Sequence, residues 1–112
     1  MERAIKLYET VFGHKLERHQ MGPLAMAWFP TIPDGIGAMS SLVCHHDFYK
    51  PAQAGALVYF TAFSGDLNNE LSRVEAAGGK IIVPKKQISA EYGYMGLMLD
   101  TEGNRIAIHS KK

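Results

Sequence analysis

The chain has 112 residues, of which 46% are hydrophobic and 21% are charged. This composition predicts one compact domain with a packed core rather than a disordered chain. The 12 basic and 11 acidic residues are scattered and leave a net charge of +1, so neither a nucleic-acid nor an anionic-membrane surface is indicated. No apolar run approaches the ~18 residues of a membrane helix. The single cysteine, Cys44, excludes an internal disulfide and favours a cytoplasmic location.

The first predicted element is an amphipathic helix over residues 1–13. Apolar residues follow helical spacing from Ala4 to Phe12, and Gly13 supplies a residue that ends helices at low cost. Three extended segments follow, separated by turn residues. These predicted strands cover residues 15–20, 24–29 and 38–44. The first part of the chain is therefore expected to fold as one helix and three strands.

The second part of the chain repeats this order after a polar stretch, residues 45–55, that predicts a linker. Residues 56–63 read "ALVYFTAF" and are rich in strand-forming side chains. A second helix is predicted over residues 66–79, with Asp66 as its N-cap. Three further strands are predicted at residues 80–83, 94–99 and 105–110.

The two halves align at an offset of 66 residues. Met1 then matches Leu67, and Gly13 matches Gly79. Such self-similarity is typical of a repeated structural unit. The predicted division is a first module over residues 1–44, a linker over 45–55 and a second module over 56–110. The second helix has a strand ahead of it and the first has none, so the leading strand of the first module is expected to be absent from this sequence.

Four segments resemble the glyoxalase, bleomycin-resistance and extradiol dioxygenase superfamily, also called the vicinal oxygen chelate fold. They read "AIKLYETVFGHKLE", "ALVYFTAF", "ELSRVEAAGGKIIVPKKQI" and "DTEGNRIAIHS". The resemblance implies an α+β fold, in which paired βαβββ modules form a curved mixed sheet around a cleft, and it implies a homodimer. It does not imply one function, because this fold hosts isomerases, ring-cleaving oxygenases, thiol transferases and drug-sequestering proteins.

Metalloenzymes of this family draw a His or Gln, an acid, a second His or Gln and a second acid from four strands. By that resemblance, the first ligand strand is missing here, and no carboxylate lies between Ile36 and Cys44. Leu57 falls near the third position, and Ala107 stands where the last acid is expected. Alkyl side chains cannot ligate a metal. We therefore expect neither a metal ion nor another cofactor.

The remaining candidates are apolar and aromatic side chains that could line the cleft. The predicted ligand-binding residues are Met26, Trp28, Leu57, Tyr59, Tyr94, Met98, Ala107 and His109. Tryptophan and tyrosine rings can stack on a flat ligand. Ordinary core packing explains the apolar members equally well. For His109, which shares a strand face with Ala107, a hydrogen-bonded structural role is the favoured alternative.

The other reactive side chains are expected to be structural or solvated. His45 and His46 are neighbours, and adjacent side chains point apart in a strand, so they make a poor ligand pair. His14 and His19 are expected in solvent or at a strand edge. Cys44 is expected to be structural, because adjacency to His45 is weak evidence for a reactive thiolate.

Three functional hypotheses remain open. The first is a metal-independent protein that binds an apolar or aromatic small molecule in a dimer cleft. The second is a lyase or isomerase that works without metal through general acid and base groups, with His109, Tyr59 and Tyr94 as candidates. The third is a chain that recruits another polypeptide to an exposed sheet edge. The identity of the ligand is not predicted.

Overall fold

A computed structural model describes residues 1–30, 41–45 and 49–112. Part of the strand predicted at 38–44 therefore lies outside the described residues, as do Ile36 and His46. The elements are α1 (Glu2–Phe12), β1 (Glu17–Met21), β2 (Leu24–Trp28), β3 (Ser41–Cys44), β4 (Val58–Thr61), α2 (Leu67–Leu71), β5 (Lys80–Ser89), β6 (Gly93–Leu99) and β7 (Arg105–Ser110). The predicted α+β class is confirmed. No helix in these ranges is long and apolar enough to cross a membrane.

The strands form two sheets that follow the predicted repeat. The first sheet is antiparallel, with strand order β1-β2-β3. The second has the order β4-β7-β6-β5, in which β4 pairs with β7 in parallel and the other pairs are antiparallel. The leading strand of the second module thus pairs with the last strand of that module. In the first sheet, β3 is the last strand, and no described strand pairs with its outer edge.

Helix α1 forms because one side of it is almost wholly apolar. The side chains buried along this side are those of Ala4, Ile5, Leu7, Tyr8, Val11 and Phe12. The helix ends where Gly13 adopts a left-handed φ of 75° and donates its N–H to the Glu9 carbonyl, a conformation that favours glycine. At the other end, the N-cap residue Met1 makes no side-chain capping hydrogen bond.

Helix α2 is shorter than predicted. The predicted N-cap is confirmed, because the Asp66 side chain accepts a hydrogen bond from the Asn68 N–H. The α-helix ends at Leu71, and residues 72–78 continue as tight turns. One cause is the Ser72 hydroxyl, which donates a hydrogen bond to the Asn69 carbonyl at 2.7 Å. This bond competes with the backbone hydrogen bonds that would continue the helix.

Strand β5 is longer than predicted, because residues 84–89 extend the strand instead of forming a turn. The pairing with β6 shifts register at three places, which allows the irregular segment around Pro84 to stay in the sheet. Proline lacks an N–H, and it is tolerated here because β5 lies at the edge of its sheet. The turn into β6 uses the Ser89 hydroxyl, which accepts from the Tyr92 N–H.

The core lies between the two helices and one side of the sheets. An aromatic group joins them: the ring centroid of Tyr8 is 5.8 Å from that of Phe29 and 5.9 Å from that of Phe60. Close approach of α2 to β6 is possible because Gly96 has no side chain; a Cβ there would stand 2.8 Å from Leu71 Cδ1. The side of each sheet that packs against the helices is called the helix-facing side. The other side is called the open face.

Candidate functional site

Ala107 lies at the centre of the open face of the second sheet. It pairs with Tyr59 on β4 and with Leu97 on β6, so all three side chains project from the same side. The alanine is fully buried, whereas the Tyr59 side chain is 54% exposed at the strand edge. Leu57, just before β4, is also exposed. This face therefore offers a phenol and apolar surface, but no donor or acceptor at its centre.

His109 lies on the same open face, and one of its ring nitrogens is engaged. Its Nε2 atom is 2.6 Å from the carbonyl oxygen of Tyr92. A carbonyl only accepts hydrogen bonds, so Nε2 carries the proton and Nδ1 is left as an acceptor in the neutral ring. The contact agrees with the structural alternative considered for this histidine. A binding role through Nδ1 stays a prediction.

Two predicted binding residues lie on the opposite side of the second sheet. Met98 is fully buried and pairs with Ile106, which puts it among the helix-facing core residues. Tyr94 pairs with Ser110 on that side and is half-buried, with the Lys85 Nζ atom 4.5 Å from its ring centroid. The fold therefore does not bring Met98 and Tyr94 onto one face with Tyr59.

The open face of the first sheet carries Trp28 and Met26. Because strands pair in register, Glu17 lies opposite Trp28, and His19 lies opposite Met26. The His19 ring stacks on Trp28 with a centroid distance of 3.6 Å and an interplanar angle of 24°. On the other neighbouring strand, Val43 also lies opposite Met26. These five residues, Glu17, His19, Met26, Trp28 and Val43, are called the tryptophan patch below.

Two features of the tryptophan patch are polar. The Nε2 atom of His19 lies 3.1 Å from Glu17 Oε1, close enough for an ion pair when the imidazole is protonated but not aligned as a hydrogen bond. The Trp28 Nε1 atom is buried and has no hydrogen-bond partner among the described residues. His19 was not among the predicted site residues. No single stretch of sequence carries this signal, because the register between β1 and β2 decides which of their side chains meet.

A cavity with a volume of about 670 Å³ lies elsewhere, between β3 and β4. Aromatic rings of Tyr8, Phe29 and Phe60 line its apolar part. Asp100 and Arg105 line a polar part. None of the eight predicted ligand-binding residues lines this cavity, although Val58 and Ile106, their neighbours in the chain, do.

A buried hydrogen bond joins two of the residues that line the cavity. The Tyr8 hydroxyl donates to Asp100 Oδ2 at 2.7 Å. The same carboxylate accepts from the Asn104 side chain and from the backbone N–H groups of Glu102 and Asn104, which fixes the turn before β7. Burial, together with the nearby Asp100 charge, raises the pKa of the Tyr8 hydroxyl far above its ordinary value. Tyr8 therefore acts as a donor and not as an acid or base.

The donor groups of the described residues do not fit a metal ion of the kind that the resemblance implies. In the described ranges, no three His, Cys, Asp or Glu side chains come together as a possible metal site. Ala107 and Leu57 hold alkyl groups where ligands would be expected, and His109 uses Nε2 on a carbonyl. Cys44 is an exposed free thiol on β3.

Comparison with known proteins gives one family. The model of the Glyoxalase/Bleomycin resistance protein/Dioxygenase superfamily matches residues 1–108. Glyoxalase I from Zea mays is similar in structure, with a TM-score of 0.74 and 19% identity over 98% of this chain. A glyoxylase/bleomycin resistance protein/dioxygenase domain from Frankia sp. EAN1pec has a TM-score of 0.73 and 14% identity. A glyoxalase/bleomycin resistance protein from Albidiferax ferrireducens T118 has a TM-score of 0.72 and 14% identity.

The extent of these matches differs between the relatives. This chain covers 42% of the length of the Zea mays enzyme, 89% of the Frankia domain and 90% of the Albidiferax protein. The matches to the Frankia and Albidiferax proteins extend over 100% of this chain. No curated protein matches the sequence. At these identities the structural likeness shows the fold and carries no information about the reaction.

Proposed function

The chain belongs to the Glyoxalase/Bleomycin resistance protein/Dioxygenase superfamily, and from that membership we propose that it binds an apolar or aromatic small molecule without a metal ion. The observation that carries this proposal is the tryptophan patch. There the indole of Trp28 stacks against His19, and its buried Nε1 donor has no partner among the described residues. An unpaired buried donor is costly, and a bound acceptor would remove that cost.

The chemistry of the patch limits the class of ligand. Trp28, Met26 and Val43 offer apolar surface of the kind on which a planar ring can pack. The indole N–H can donate a hydrogen bond to an acceptor such as a carbonyl or ether oxygen on that ring. Glu17 and His19 add a polar rim where a hydroxyl or amine could bind. We therefore propose an aromatic ligand with at least one oxygen acceptor.

The donor set supports metal independence. Ala107 and Leu57 provide no ligand atoms at two positions where the family resemblance expects them, and the open face around Ala107 is apolar at its centre. Metals that bind only the native state must raise its apparent stability. The purified protein should therefore show no thermal stabilisation by Zn²⁺ or Ni²⁺. One equivalent of metal retained after dialysis would contradict this part of the proposal.

Fluorescence provides the direct test of ligand binding, because Trp28 is the only tryptophan. Aromatic compounds with an oxygen acceptor should quench it saturably, with Kd on the order of tens to hundreds of micromolar if burial of the ring contributes about 4–6 kcal/mol and stacking about 1 kcal/mol. The variant Met26→Ala should weaken the affinity. The matched control is the variant Gln20→Ala, which should leave the affinity unchanged. Gln20 follows His19 in the sequence and projects from the opposite side of β1. A varied library without saturable quenching would argue against binding.

A second candidate is a metal-free lyase or isomerase, favoured by one observation. His109 donates through Nε2 to Tyr92, which leaves Nδ1 free to act as a general base in the neutral ring. In this case His109→Gln should abolish turnover of a ligand found by the fluorescence test while preserving its binding. A ligand that is bound but never converted would favour the binding protein over the enzyme.

We also propose a homodimer in the cytoplasm, with residues of the first half in the interface. Support for the dimer comes from the outer edge of β3, where Val43 is an exposed apolar side chain and Cys44 is exposed. Exposed strand edges of this kind tend to pair with another chain. Support for the cytoplasm comes from the single free thiol, which suits a reducing compartment.

A further inference from the structure

We propose that His19 is a pH-operated gate on the tryptophan patch: its protonated ring stays over Trp28 and closes the patch, and its neutral ring turns away and admits the aromatic ligand. The inference rests on the proposed function for the nature of what enters. The movement of the ring, however, can be measured without a ligand, so the gate and the ligand can be tested separately.

The first observation is the place of the imidazole. Its ring lies nearly parallel to the indole of Trp28, with a centroid distance of 3.6 Å and an interplanar angle of 24°. A planar ligand that stacks on this face of the indole would occupy the same position as the imidazole. The Trp28 Nε1 atom is also buried in this arrangement, so an acceptor on a ligand does not reach it. The structure therefore describes the patch in its closed state.

The second observation is that the neutral imidazole is held weakly in this place. Its Nε2 atom is buried and makes no hydrogen bond among the described residues, although Glu17 Oε1 lies 3.1 Å away. A buried nitrogen without a hydrogen bond costs free energy, which the ring recovers by turning its nitrogens into water. The His19 side chain is 30% exposed, so water is close to it. The neutral ring therefore has reason to leave the indole.

Protonation of His19 reverses this balance. The imidazolium ring carries a positive charge and an N–H group on both nitrogens. Its charge is attracted to the Glu17 carboxylate on one side and to the π face of Trp28 on the other. Both contacts of the closed position are therefore stronger in the protonated form. Low pH closes the patch, and high pH opens it.

The charged groups around His19 do not oppose this effect. Glu17 and Arg18 are the only charged residues of the described strands in the first sheet. Arg18 projects from the opposite side of β1, where it pairs with Glu2, and the thiol of Cys44 lies on that side of β3. No titratable group is among the side chains that β2 and β3 present toward His19, which are Leu24, Met26, Trp28, Ser41 and Val43.

Collisional quenching of Trp28 by acrylamide tests the gate without a ligand, because acrylamide is neutral and Trp28 is the only tryptophan. Measurements at about pH 5.5 and about pH 8 lie on either side of the ordinary histidine pKa of about 6.5. The bimolecular quenching constant, corrected for the fluorescence lifetime, should be up to about tenfold lower at the acidic pH, where roughly nine-tenths of an ordinary histidine is protonated. Equal constants at the two pH values would overturn the gate.

Three variants assign the pH dependence to one side chain. His19→Gln removes the titrating ring and should make acrylamide quenching independent of pH. Glu17→Gln keeps the shape of the side chain and should reduce the difference between the two pH values, because the protonated ring loses its charged neighbour. The matched control is His14→Gln, at a histidine that packs on Phe63 with a centroid distance of 4.3 Å, outside the patch. It should keep the full difference. A pH dependence that persists in His19→Gln, or is lost in His14→Gln, would overturn the gate.

Calorimetric titration with coumarin, a neutral planar molecule with a carbonyl and a ring oxygen, connects the gate to ligand binding. Its Kd should be about tenfold higher at about pH 5.5 than at about pH 8 in the wild type, and equal at both in His19→Gln. An equal Kd in the wild type would overturn the gate and leave binding in place. Absence of coumarin binding together with pH-dependent acrylamide quenching would count against the proposed ligand and support the movement of His19.

Discussion

At the scale of single residues, the hydrogen bond between Tyr8 and Asp100 joins the first helix to the last turn. Both side chains are buried, and the hydroxyl donates to the carboxylate at 2.7 Å. Replacing Tyr8 with Phe removes the donor and keeps the ring. Because the carboxylate loses a charge-assisted bond in a buried place, the free energy of unfolding should fall by about 1–3 kcal/mol at pH 7, as measured by urea denaturation.

The same variant has a characteristic pH dependence. Burial and the Asp100 charge raise the pKa of the Tyr8 hydroxyl in the folded state, so the neutral form is favoured there. This contribution is fully present below the unfolded pKa of about 10 and is lost as the pH rises above it, because the unfolded chain then releases the proton. The stability difference between the wild type and Tyr8→Phe should therefore shrink above about pH 10. A difference that is constant from pH 7 to 11 would contradict this account.

The residue scale also shows what could be predicted for the site. Residue types identified Trp28 and Tyr59 as aromatic candidates, and the alkyl side chain of Ala107 gave the expectation of no metal. The split of Met98 and Tyr94 onto the helix-facing side was not predictable, because strand register decides which alternate residues face the same way. The stacking of His19 on Trp28 depends on register between two strands, which no single segment of sequence contains.

At the scale of elements, the turn between β5 and β6 depends on one glycine. Gly93 has a φ of 86°, and a Cβ there would stand 2.4 Å from the Ser110 carbonyl oxygen. The variant Gly93→Ala should reduce the free energy of unfolding by about 2–4 kcal/mol, since both the backbone conformation and the close contact oppose it. Chemical denaturation monitored by circular dichroism would measure the loss.

A matched control separates the two causes. Gly103 has a similar φ of 88°, but a Cβ there would meet nothing within 4 Å. Gly103→Ala should therefore lose only the conformational part, about 1–2 kcal/mol. Equal losses for the two variants would show that the contact with Ser110 does not matter.

Element boundaries could be predicted where a side chain marks them. Asp66 is the N-cap of α2 and Gly13 ends α1, both as predicted. The pKa of Asp66 is held below its usual range, first by the hydrogen bond from Lys85 and then by the backbone of Asn68. The Lys85 contact could not be predicted, because it depends on β5 extending beyond Pro84. That extension relies on bulges and an edge position, which local sequence does not reveal.

At the scale of the whole molecule, the outer edge of β3, with which no described strand pairs, predicts association between copies of the chain. Light scattering on a size-exclusion peak should give a dimer at micromolar concentration rather than a 12.4 kDa monomer. The variant Val43→Lys should be monomeric, because a charge on an edge strand opposes pairing. Met21→Lys, on the opposite edge of the first sheet, serves as the control and should remain dimeric. A wild-type monomer that melts cooperatively would contradict the prediction.

The internal repeat made the α+β class predictable, because each half of the sequence carries the pattern of one helix followed by three strands. The order of the strands within each sheet could not be predicted, since pairing joins segments that lie apart in the sequence. The size and lining of the cavity between β3 and β4 likewise needed the three-dimensional arrangement.

The contacts of α1 also bear on how the chain folds. Tyr8 bonds to Asp100 and Arg3 pairs with Glu102, so the first helix docks on a turn that lies 92 to 99 residues later in the sequence. Such distant contacts slow folding, because a long loop must close before they form. Until that loop closes, the apolar side of α1 lacks part of the surface that covers it in the folded chain, and exposed apolar surface of this kind favours aggregation during refolding.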